Sequence, residues 1–99
     1  MNKNLTNKQM LNKARVEIDK IDEKLLALIV KRSKMVNIAL ESKIKKSQII
    51  DQKRIKSILT KVEKAAKSKS ADPNLIKSIW KSMIWNFIDY EKKEFKKRK

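Results

Sequence analysis

Apolar residues recur at spacings of three and four along the first part of the chain: Leu11, Ala14, Ile18, Ile21, Leu25, Leu28, Ile29, Val36 and Ala39. That period places them on one side of an α-helix. Thr6, followed three residues later by Gln9, has the form of a capping box. The helix is therefore predicted to start there and to run without a breaker to about Lys43. Its length would be roughly 35 to 38 residues, about 55 Å at about 1.5 Å per residue. Ser47 to Ile50 makes a short joint, and Asp51 is placed to cap a second helix. The apolar face of that helix is Ile55, Ile58, Leu59, Val62 and Ala66, and Lys67-Ser68-Lys69-Ser70 reads as a polar loop. Asp72-Pro73 is a restart signal, a capping carboxylate before proline at the first helical position. The third helix carries Leu75, Ile76, Ile79, Trp80, Met83, Ile84, Phe87 and Ile88. It is then expected to fray into a solvated tail, Lys92 to Lys99.

The expected fold is all-α, with one long and two shorter helices per chain. Neither shorter helix can cover the long apolar stripe of the first. A two-fold homodimer, with long helices intertwined and exchanging coverage, closes such a core. A plain coiled coil is the alternative, but Trp80, Trp85 and Phe87 are bulky for a two-stranded seam. The segmentation expected is a lead-in over residues 1–10, a helical domain over 11–95 and a basic tail over 96–99.

Composition narrows the chemistry. The chain has no glycine, one proline and no cysteine or histidine. A chain without glycine can make few tight turns or hairpins, which favours an all-α reading, and disulfides, thiol nucleophiles, imidazole bases and cysteine or histidine metal sites are excluded. What remains is carboxylates, amines, guanidiniums and hydroxyls, and no cofactor or metal is expected. Met1 to Thr6 is polar, and no apolar run approaches the roughly 20 residues that span a bilayer. A cytoplasmic protein without a membrane partner is the expectation. The net charge of +16 suits a polyanion such as nucleic acid or an anionic surface. Yet the cations are 23 lysines and only four arginines, spread over every segment. Arginine and aromatic residues, which read and stack on bases, are scarce. Specific nucleic-acid binding is therefore disfavoured.

The charges that interrupt the apolar stripes are more informative. Arg32 falls four after Leu28 and four before Val36, and Lys43 falls four after Ala39. Eleven residues separate the two cations, and eleven steps of about 100° end within about 20° of alignment. Arg15 lies about 100° round from Arg32 on a straight helix, so both need not serve one pocket on one chain. Arg54 starts the second helix, beside Ile55. Glu91 follows Ile84 by seven and Phe87 by four, so a carboxylate points to the core side of the third helix. Such charges either snorkel to the surface, pair with one another (Arg32 with Glu91, for instance), or build a polar pocket for a small dianion.

The stretch from Arg15 to Arg32, RVEIDKIDEKLLALIVKR, resembles the first helix of the all-helical chorismate mutases. The likeness continues through Lys43, Asp51 with Arg54, Asp72-Pro73 and Ile79-Trp80, and covers roughly residues 11 to 95. It implies conversion of chorismate, a small dicarboxylate, to prephenate by a [3,3] rearrangement. By that likeness Arg32 would bind one carboxylate, and Arg15 would reach in from the partner chain. Lys43 would contact a carboxylate and the breaking ether oxygen. Asp51 would face the ring hydroxyl, Arg54 would support the pocket, and Glu91 would donate a hydrogen bond to the ether oxygen. Donation requires a protonated Glu91 carboxyl, which burial favours.

Two positions depart from the family pattern. Ile55 stands where many mutases carry a glutamate that contacts the ring hydroxyl. Phe87 stands where many carry a small serine. An apolar and an aromatic residue at these places are similar to the related isochorismate pyruvate lyases, although Asp51 is retained. The readings weighed are a chorismate mutase, an isochorismate pyruvate lyase or amino-chorismate mutase, and a non-catalytic basic helical dimer that binds nucleic acid.

Overall fold

A computed structural model of the protein describes residues 6–98. These residues form three α-helices and one short 3-10 turn, and among them there is no strand. The helices are α1 (Asn7–Glu41), α2 (Gln52–Ser68) and α3 (Pro73–Lys97), with the 3-10 turn at Lys46–Gln48. Among the described residues no helix is long and apolar enough to cross a membrane. The chain divides into two units, residues 1–34 and residues 35–99.

The first unit is α1 as far as Lys34. Its start is the capping box expected from the sequence. The Gln9 amide donates to Thr6 Oγ1 at 3.1 Å, and the Thr6 amide donates to Gln9 Oε1 at 2.8 Å. From Thr6 to Lys31 every residue is exposed within the single chain. Leu11, Ile18, Ile21, Leu25, Leu28 and Ile29 are among the exposed apolar side chains. A helix draws most of its stability from packing its apolar face, because local hydrogen bonds barely repay the conformational entropy lost.

The second unit holds the core. Leu40, Ile49, Ile84, Ile88 and Phe95 are buried together, with Ile50, Ile55, Ile58, Leu59 and Trp80 packed against them. α2 and α3 pack on each other, and Lys77 of α3 lies 4.0 Å from Glu63 of α2. Their starts are as expected. Asp51 Oδ1 accepts from the Arg54 amide at 2.9 Å. Asp72 Oδ1 accepts from the amides of Asn74 and Leu75, ahead of Pro73 at the first turn.

Several details differ from the sequence expectation. α1 stops at Glu41, so Lys43 lies beyond it and the eleven-step alignment with Arg32 does not position it. The last turn tightens as the Ser42 and Lys43 amides bond three residues back, to Ala39 and Leu40. Ser42 Oγ also takes the Ala39 carbonyl at 2.6 Å, competing with helical continuation. The joint is closed by Gln48, whose Oε1 accepts from the Ile44 and Lys45 amides. The buried residue at the end of α1 is Leu40, with Ala39 exposed. Lys67 and Ser68, expected in a loop, complete α2. α2 closes through a pair of bonds, Ala71 N–H to Ala66 O and Ser70 N–H to Lys67 O. This pattern needs a left-handed residue, usually glycine. In a chain without glycine Ser70 takes it, at φ 58°. The expected frayed tail is instead helix as far as Lys97, because Phe95 continues the buried Ile84, Ile88, Glu91 stripe. Lys99 lies outside the described residues.

Candidate functional site

Three of the four buried residues of α3 are apolar; the fourth is Glu91, 7% exposed. The periodicity that buries Ile84, Ile88 and Phe95 carries Glu91 to the same face, so the helix cannot expose one without exposing the others. A carboxylate placed there requires a partner. That partner is Lys43, whose Nζ donates to Glu91 Oε1 at 2.8 Å. Their side chains are 21% and 9% exposed. Lys43 reaches the pair because α1 ends before it and frees its backbone from the helical register. An ammonium has three N–H donors, and Glu91 takes one. The pair thus presents a part-buried cation with further donor capacity beside a buried carboxylate. That combination can hold an oxygen on which negative charge develops.

The other expected site residues are distributed as follows. Asp51 and Arg54 meet at the start of α2 through the cap. Both are exposed, and the contact runs to the Arg54 amide rather than to its guanidinium. Ile55 is half-buried against the core. Phe87 is half-buried, and its ring meets Tyr90 edge-on, with centroids 6.5 Å apart and planes at 88°. Arg15 and Arg32 belong to the first unit, Arg15 exposed and Arg32 half-buried. Among the described residues no three acidic side chains gather into a set that could hold a metal ion.

One polar cluster has no counterpart in the sequence reading. Asn37 Oδ1 accepts from Tyr90 Oη at 3.0 Å and from Arg98 Nη2 at 3.4 Å. The residues are separated by 53 and 61 positions, and none interrupts an apolar stripe, so no local pattern could single them out.

The family model described as chorismate mutase type II matches residues 14–92. That span takes in Arg15, Arg32, Lys43, Asp51, Arg54, Ile55, Phe87 and Glu91. Comparison with curated proteins finds no match, and comparison with solved structures finds none.

Proposed function

Because the chain belongs to the type II chorismate mutase family, we propose that it is an isomerase converting chorismate to prephenate. The observation that carries this is the part-buried Lys43–Glu91 pair at 2.8 Å, a cation and a carboxyl held together on the core side of a helical unit. The rearrangement breaks an ether C–O bond as a C–C bond forms. Electrons move within one six-membered array, and no proton or leaving group departs. The protein must hold the compact diaxial conformer and stabilise charge growing on the ether oxygen. Lys43 supplies a donor for that oxygen. Arg32 takes one carboxylate of the dianion, with Arg15 of the partner subunit helping to hold it. Asp51 faces the ring hydroxyl and Arg54 supports the pocket.

Glu91 accepts from Lys43 in the substrate-free chain. In that arrangement Glu91 holds the Lys43 ammonium in place for the ether oxygen. Glu91→Ala should lower kcat, and unchanged turnover in the folded variant would remove Glu91 from this role.

The working form is a homodimer. The apolar stripe of α1 from Leu11 to Ile29 is exposed within one chain, and a second copy covers it most economically, since the same stripe is present on both.

Ile55 and Phe87 favour a second reading, a lyase acting on isochorismate. The experiment supplies chorismate and isochorismate separately and resolves the products by chromatography. Prephenate from chorismate supports the mutase. Pyruvate and salicylate from isochorismate alone move the chain to the lyase branch. Turnover of neither refutes both.

A further inference from the structure

The Lys43–Glu91 pair depends on how α3 is rotated about its own axis beside the end of α1. Glu91 sits on a helix whose successive side chains turn by about 100°, so a modest rotation would swing its carboxyl away from Lys43. Tyr90, the preceding residue, carries a hydroxyl bonded to Asn37 Oδ1 at 3.0 Å. Asn37 lies in the last two turns of α1, six residues before Lys43. The same oxygen accepts from Nη2 of Arg98, the residue that caps the end of α3, at 3.4 Å. One acceptor on α1 therefore holds α3 on both sides of Glu91. The Tyr90 ring meets the half-buried Phe87 ring edge-on, an arrangement that favours one orientation of both rings. Hydroxyl, ring and backbone thus connect Asn37 to Phe87 and to Glu91 together.

We propose that Asn37 and Tyr90 are positioning residues: their hydrogen bond sets the rotation of α3, and through it the placement of Glu91 against Lys43 and of the Phe87 ring. Neither needs to touch substrate. The inference rests on the mutase reading, and the measurements separate the two. If the wild-type chain turns over no chorismate, the mutase reading fails. If it is active, the variants decide the positioning role.

Tyr90→Phe keeps the ring contact and removes the hydroxyl. Asn37→Ala removes the acceptor. Each variant should lower kcat by about three- to ten-fold. KM should change by less than about two-fold, because substrate carboxylate contacts are untouched. A group acting only on stability would leave kcat per folded enzyme unchanged at a temperature well below unfolding. Because both changes break the same bond, the double variant should be no slower than the slower single variant. Asn37→Asp keeps an acceptor for Tyr90 and Arg98 and should restore most of kcat. The proposal is overturned if the two losses multiply, if KM alone moves, or if active wild-type enzyme and both folded single variants share one kcat.

Discussion

Replacing Lys43 by methionine tests the energetics of the buried pair directly. The substitution keeps an unbranched side chain of similar length and removes the ammonium, leaving Glu91, 7% exposed, without the donor that lies 2.8 Å from it. Removing one partner of a fully buried ion pair costs about 3–5 kcal/mol, because the remaining charge has lost both water and its counter-ion. Lys43 is 21% exposed, so some solvent returns to the carboxylate, and the expected loss is about 2 kcal/mol. In a domain of this size that lowers Tm by about 10 °C. Urea unfolding followed by tryptophan fluorescence, at one fixed protein concentration, reads the loss, since the stability of the proposed dimer would depend on concentration. The second arm is Lys43→Met with Glu91→Leu. Leucine at 91 would join Ile84, Ile88 and Phe95 on the buried stripe, and an apolar replacement of an ion pair is commonly neutral or stabilising. The double variant should recover to within about 1 kcal/mol of wild type while remaining inactive. The reasoning fails if Lys43→Met unfolds within about 0.5 kcal/mol of wild type, or if adding Glu91→Leu destabilises it further.

Three further predictions concern the fold. Ser70→Gly should stabilise the chain by about 0.5–1 kcal/mol, since glycine takes the left-handed position at φ 58° without a Cβ clash; an unchanged urea midpoint would argue that serine carries no strain there. Phe95→Ala should cost about 3 kcal/mol, because the ring is 7% exposed, and a loss below about 0.5 kcal/mol would return this segment to a solvated tail. Ile21→Asp places a charge in the middle of the exposed α1 stripe. Sedimentation should show a dimer for wild type and a monomer or an unfolded chain for the variant, whereas a wild-type monomer would refute the proposed pairing.

The burial of Glu91 was legible because its signal is local. The position of Glu91 follows from its spacing to Ile84, Phe87 and Ile88, a property of about two turns of one helix. Arg32 was likewise marked by its place between Leu28 and Val36. The place of Lys43 was read from the wrong premise, as a continuing helix face. Ser42 and the tightened turn end α1 before it, and the free backbone lets its side chain meet a carboxylate 48 residues away. Asn37 and Tyr90 carried no mark at all, since a hydrogen bond between a half-buried asparagine and an exposed tyrosine leaves no periodic trace.

By itself, the sequence determined the three helices, their starts at Thr6, Asp51 and Asp72-Pro73, and the family. Caps and helical periods act over three or four residues, and a family motif is a string of such spacings. Only the tertiary structure decided which apolar residues form the core. Ala39 and Leu40 are adjacent and both apolar, and packing against α3 selects Leu40. Ile49 in the joint and Phe95 in the lysine-rich end are buried for the same reason. Burial is fixed by what lies opposite a side chain, and that partner comes from a distant part of the chain.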